Sequence, residues 1–116
     1  MAWTLWEFED AYTSFYENDC DKRMRASRDE RLDVLLDKGN TAREPYSKPV
    51  RDGVFEFRSQ RGARVFYFFQ PQQKIVVVLG VIKDQRKLDP KDIDKAVKRK
   101  KLAEACEELK RVEQTH

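Results

Sequence analysis

The spacing of apolar residues changes along this chain, and each change marks an element. Trp3 and Leu5 flank polar Thr4, an alternation that allows a short first strand. From Phe8 the spacing becomes helical: Phe8, Tyr12 and Phe15 fall at i, i+4 and i+7, with Ala11 and Tyr16 beside them on one stripe. Residues 20–38 predict a second helix through Met24, Leu32, Leu35 and Leu36, stopped by Gly39 and Asn40. Pro45 and Pro49 make 40–53 an extended loop that closes on the turn pair Asp52-Gly53. Three strands are expected next. Val54 to Arg58 alternates, Arg64 to Phe69 is aromatic and β-branched, and Ile75 to Ile82 is a continuous apolar run that suits a central strand covered on both faces. Short turns at Gly62 and Pro71 make these strands antiparallel. Asp89-Pro90 opens a final helix, an N-cap acid followed by proline at the first position. Its apolar positions, from Ile93, Ala96, Val97 and Ala103 to Cys106, Leu109 and Val112, carry it to about Glu113.

The predicted order is β-α-α-β-β-β-α, an α+β fold with a small antiparallel-rich sheet. Two N-terminal helices pack on one face, and the C-terminal helix packs at the edge. The 116 residues suffice for one core, so 1–116 is expected to be one domain. A hydrophobic content of 40%, with 11% aromatic, excludes disorder despite 39% charged residues. The longest apolar run, Ile75 to Ile82, is far short of the ~18 residues of a membrane span, so no membrane association is expected. No signal peptide is evident, which places the expected compartment in a reducing cytoplasm. Cys20 and Cys106, with His116 at the end, cannot make a zinc site; neither a metal nor a cofactor is expected, and both cysteines read as packing residues.

Charge adds an asymmetry. Residues 1–21 hold six acids and no Lys or Arg, so the other residues carry +9 within a net charge of +3. A basic body behind an acidic leading segment points to a polyanionic partner, or else to an ordinary solvated surface. Nucleophilic triads, H-E-x-x-H and phosphate-binding glycine loops are missing. The chemistry that remains is cationic. A first hairpin turning over Ser59 to Ala63 sets Arg58 opposite Arg64 and Glu56 opposite Phe66, with Phe68 on the same face. Two facing arginines repel unless an anion lies between them, and a phosphate would fit there. Alternatively each arginine pairs with a nearby acid such as Glu56 and is purely structural. In the second hairpin a four-residue loop over Gln70 to Gln73 pairs Arg64 with Leu79 and brings Leu79, Val81 and Lys83 to the same face; a one-residue slip would send them to the other. Arg86 and Lys87 after the third strand, with Lys98 and Arg99 in the last helix, could grip a sugar–phosphate backbone or could simply be solvated. Tyr46, Phe66 and Tyr67 could stack on bases, although Phe66 and Tyr67 suit the core equally well.

An ordered series of motifs carries a resemblance. Leu35-Leu36-Asp37-Lys38-Gly39-Asn40, Arg43-Glu44-Pro45, Lys48-Pro49-Val50 and Asp52-Gly53-Val54-Phe55-Glu56-Phe57-Arg58 come first. Arg64-Val65-Phe66-Tyr67-Phe68-Phe69 follows, then Ile75 to Lys83, Gln85, Lys87, Asp89-Pro90 and Ala96. Over residues 32–100 this resembles the phage-derived RelE/HigB-like toxins of type II toxin–antitoxin systems. The resemblance implies a compact ribonuclease fold and metal-independent cleavage of mRNA in the ribosomal A site. It also implies neutralisation by a helix-turn-helix antitoxin. By the same resemblance, the RNA's own 2′-hydroxyl attacks the scissile phosphate. Arg58 and Arg64 would hold that phosphate and stabilise its charge, and Lys83 would be a phosphate ligand or general base. Where the family's central strand often ends in His-Gly-Phe followed by two lysines, this chain has Leu79-Gly80-Val81 and then Lys83-Asp84. The missing histidine keeps a second reading open: a non-catalytic relative that inhibits a protein target such as DNA gyrase.

Overall fold

The structure, a computed structural model, describes residues 3–44, 46–58, 62–83 and 87–112. Strand β1 is Thr4–Glu7, helix α1 is Lys22–Lys38, and strands β2 to β5 are Lys48–Arg51, Val54–Arg58, Ala63–Gln70 and Lys74–Ile82. Helix α2 is Pro90–Glu104 and a short β6 is Lys110–Arg111. The six strands form one sheet in the order β2-β3-β4-β5-β1-β6, antiparallel at each pairing except β1 with β5. The α+β class and the antiparallel 54–82 region agree with the hydropathy pattern; five features differ.

The stripe expected from Phe8 is not one helix. Glu7 turns its carboxylate back onto the chain and accepts the Tyr12 and Thr13 amides at 3.1 and 3.0 Å and the Thr13 hydroxyl at 2.5 Å. The chain therefore leaves β1 in turns, Glu9 takes φ 54°, and helical backbone begins only at Thr13 and ends in the π-helical turn Phe15–Asp19. Phe8 packs on one face of the sheet, whereas Tyr12 and Phe15 pack on the other. Spacing alone could not separate a helix from a turn whose apolar residues serve two layers.

The other four differences concern strands and the last helix. The 40–53 segment contains β2, an edge strand that tolerates Pro49 because an edge residue has no ladder partner on its outer side. Helix α2 ends at Glu104, not near Glu113. Cys106 and Leu109 turn back onto the α2 layer, Val112 packs on the α1 layer, and Lys110–Arg111 add to β1, so a spacing of three read as helical serves a returning tail. Helix α2 also covers a full face of the sheet instead of its edge: Ala96, Val97 and Ala103 pack with Val54, Phe66, Phe68, Val76, Val78 and Leu79. The opposite face, with Phe57, Val65, Tyr67, Ile75 and Val77, is covered by Leu32, Leu35 and Leu36 of α1. The strands β4 and β5 are apolar on both sides because both sides are covered.

Last, the second hairpin pairs Arg64 with Val81, not with Leu79. The turn has three residues, Pro71 to Gln73, with Gln72 and Gln73 at φ 67° and 56°, and Gln70 faces Lys74. A bulge at Val78 then restores one residue, so the offset is two and side chains keep the expected face. The first hairpin has the predicted register, Arg58 against Arg64 and Glu56 against Phe66.

Two glycines fix close approaches. Gly39 closes α1 at φ 56°, donating to the Leu35 carbonyl, and a Cβ there would lie 1.9 Å from the Trp3 ring. A Cβ on Gly80 would lie 2.4 Å from Phe15, so β5 admits that ring only as glycine.

Candidate functional site

The hairpin registers gather Glu56 and Arg58 of β3, Arg64 of β4, and Val81 with Lys83 at the end of β5 on the face that carries α2. The Lys83 amide donates to the Gly62 carbonyl at 2.9 Å, tying the end of β5 to the start of β4. Within this corner the facing arginines already have their anion. Arg58 Nε donates to Glu56 Oε1 at 2.8 Å, and Glu56 is 1% exposed. Arg64 is 2% exposed and its Nη1 donates to the Lys87 carbonyl at 3.3 Å. Its pKa is lowered by burial foremost and by Arg58 next, with Glu56 and Asp92 opposing. The ion pair that the sequence left open is therefore made by Arg58, whereas Arg64 bonds the Lys87 carbonyl.

Two polar atoms in this corner have no hydrogen-bond partner among the described residues: Glu56 Oε2, an acceptor, and Arg64 Nε, a donor. Leaving a buried charged group partly unsatisfied costs on the order of 1–3 kcal/mol. A hydroxyl that donates would satisfy Glu56 Oε2, and one that accepts would satisfy Arg64 Nε. Residue type did not mark Glu56 as a site residue, although its two-residue spacing from Arg58 put both on one strand face.

Lys83 Nζ lies 3.6 Å from Asp89 Oδ2 and 3.7 Å from Asp92 Oδ2, on the first turn of α2. The Lys91 amide, and Lys83 after it, hold the Asp89 carboxyl below its ordinary range. The remaining cations do not join the corner as a group. Arg86 lies outside the described residues, and Lys87 is exposed beside the corner. Lys98 is exposed, about 9 Å further along α2 than Asp92 at ~1.5 Å per residue. Arg99 donates to the Val78 carbonyl at 3.0 Å, so it braces the β5 bulge. Of the aromatic candidates, Phe66 and Tyr67 are core, and the Tyr67 hydroxyl bonds Ser47.

The sequence profile of the family described as "Phage derived protein Gp49-like (DUF891)" matches residues 18–101, well over half of the chain. The chain belongs to this Gp49-like family. No curated protein sequence matches it. Among solved structures, this Gp49-like chain is similar to a chain of the heterotetrameric YoeB–YefM toxin–antitoxin complex from Staphylococcus aureus. The TM-score is 0.51 at 18% identity, over 73% of this chain and 99% of that one, so the likeness is one of fold. Both findings agree with the resemblance read from the motifs at 32–100. In the Gp49-like chain the matched region includes the whole Glu56–Arg58–Arg64–Lys83 corner. Among the described residues no three His, Cys, Asp or Glu side chains gather as metal ligands.

Proposed function

We propose that this Gp49-like chain is the toxin of a type II toxin–antitoxin system and a ribosome-dependent mRNA endoribonuclease, held inactive by a helix-turn-helix antitoxin in the cytoplasm. The observation that carries the reading is the buried Glu56 carboxylate, anchored through one oxygen by Arg58, with the other oxygen unpartnered among the described residues. In the reaction, a ribose 2′-oxygen bonds to the adjacent phosphorus and the bond from phosphorus to O5′ breaks. The products are a 2′,3′-cyclic phosphate and a 5′-hydroxyl. Glu56 Oε2 accepts the 2′-hydroxyl proton. Arg58, one-third exposed, meets the charge that develops on the phosphate. Arg64 acts as a positioning residue that holds the Glu56–Arg58 pair from behind. Lys83 binds the phosphate and can return a proton to the leaving O5′. The likeness to a chain of a toxin–antitoxin complex and the Gp49-like membership support the toxin assignment.

One observation favours a second reading. Leu79, at the position where the resembled toxins often have histidine, is 5% exposed and packs under α2, so no acid–base group stands there. A non-catalytic toxin that binds a protein such as DNA gyrase would need none. Mapping mRNA 5′ ends after brief induction separates the two. New ends within ribosome-bound codons are expected, whereas a DNA-damage response without new ends would replace the first reading with the second.

A further inference from the structure

The corner is built from α2 as well as from the sheet. Lys83 stands one residue past β5, and its ammonium meets two acids of the first turn of α2, Asp89 and Asp92. The two acids are not equivalent. Asp89 is the N-cap: its Oδ1 accepts the Lys91 amide, so its carboxyl is committed to starting the helix. Asp92 sits three residues further on, the position from which an acid can reach back to the N-cap amide. Among the described residues its carboxylate makes no such bond, and the ion pair it does make is with Lys83. Asp92 is also the more buried of the two, its side chain 16% exposed against 29% for Asp89. Its charge is felt by Arg64 of β4 as well, so it faces the cations of two strands. Ile93, Ala96 and Val97 pack this part of α2 onto the sheet, so Asp92 is a fixed charge. Lys83 is the opposite, a point charge on a flexible four-carbon stem.

Resting on the function proposed above, we infer that Asp92 is a positioning residue, which holds the Lys83 ammonium where it meets the phosphate and the leaving O5′. Asp92 itself touches neither the RNA nor the reacting atoms. Its negative charge opposes phosphate binding, so its contribution lies in confining Lys83 and not in attracting the strand. Two opposite signs follow for Asp92→Asn. The lost charge removes a repulsion, so RNA binds as tightly as before or more tightly. The released ammonium spends less time in place, so cleavage slows. A residue that only stabilised the start of the helix would move neither quantity per folded molecule.

The test compares the full chain as wild type, Asp92→Asn and Asp94→Asn. Asp94 is an exposed acid of the same helix that pairs with Arg51, so it controls for the change of charge. The first readout needs no activity. In lysine-labelled protein, with the Lys83 signal assigned through Lys83→Arg, the two Cε protons of a confined side chain resonate apart, and those of a free one merge. They should be split in wild type and Asp94→Asn and should merge in Asp92→Asn. The second readout is affinity for a fully 2′-O-methylated single-stranded RNA, which binds but cannot react; Asp92→Asn should bind it no more weakly than wild type. The third is single-turnover cleavage of mRNA on purified ribosomes. At saturating protein the rate of Asp92→Asn should fall about tenfold, with the half-saturating concentration unchanged or lower. A wild-type rate in Asp92→Asn, an equal loss in Asp94→Asn, Cε protons still split in Asp92→Asn, or a loss of RNA affinity matching the loss of rate would each overturn the role. Failure of the broader reading looks different: wild type then makes no cuts, although the lysine signal still reports the Asp92 contact. Cuts by wild type at a rate that Asp92→Asn equals remove the positioning role alone and leave the ribonuclease standing.

Discussion

Glu7 and Glu56 are both buried glutamates at strand positions, 4% and 1% exposed, and their surroundings assign them opposite work. Glu7 accepts three hydrogen bonds, two from backbone amides and one from a hydroxyl, all from the segment that follows β1. Both oxygens are used, and the carboxylate acts as a local cap that turns the chain. Among the described residues Glu56 accepts one bond, from a partly exposed arginine, and its other oxygen has no partner. A fully satisfied buried carboxylate serves stability. One that is left half satisfied is costly to the fold, and such groups cluster at functional sites.

The largest effect expected from breaking this contrast is on Glu56→Gln. With the carboxylate gone, RNA cleavage per folded molecule should fall about 10²–10⁴-fold, the usual contribution of a general base. Glu7→Gln should leave cleavage per folded molecule unchanged. Growth arrest scored against the amount of soluble protein measures both. Arg64→Ala comes next: losing the residue that positions the Glu56–Arg58 pair should lower RNA cleavage per folded molecule about ten- to a hundredfold, or ~1.4–2.8 kcal/mol. Its melting temperature should fall too, because truncating a 2% exposed side chain leaves a cavity and gives up the Lys87 carbonyl contact, so activity is scored per folded molecule. A lower melting temperature with undiminished activity would make Arg64 a structural residue only.

Glu7→Gln should instead show in the fold. Weakening three charge-assisted bonds costs about 1–3 kcal/mol, seen as a lower midpoint in thermal or urea unfolding. The smallest effect concerns pH. Burial raises the Tyr67 phenol well above its ordinary value, against the Ser47 hydrogen bond. Its folded-state pKa exceeds the unfolded value near 10, so its stabilising effect is complete below about pH 10 and is lost as pH rises further. Tyr67→Phe should flatten that alkaline decline while costing about 0.5–1.5 kcal/mol at neutral pH through the lost Ser47 bond. A melting series from pH 7 to 11 measures both.

Much of this arrangement was legible in the sequence where local chemistry dictates geometry. Alternation and a short turn fix the hairpin between β3 and β4, so sequence alone sets Arg58 opposite Arg64. Helix α1 had its stop at Gly39, and α2 had its start at Asp89-Pro90, whose side chain accepts the Lys91 amide at 2.9 Å. Features that depend on distant partners were not legible. The Phe8 stripe divides between two layers because Glu7 folds back onto the chain, which no periodicity encodes. The tail after Glu104 has helical spacing, yet it finds the open side of β1. The Val78 bulge needs the Arg99 guanidinium from α2 on its carbonyl. For the site, residue type singled out the cations. The role of Glu56 emerged only once burial and the count of its partners were known, and the separation of Lys98 and Arg99 from the corner only once α2 was placed across the sheet.

The most direct measurement is the map of mRNA 5′ ends after brief induction of wild type, Glu56→Gln and Glu7→Gln, each at matched soluble protein. The account predicts new ends inside ribosome-bound codons for wild type and Glu7→Gln, and none above background for Glu56→Gln. Equal cutting by Glu56→Gln and wild type would contradict it.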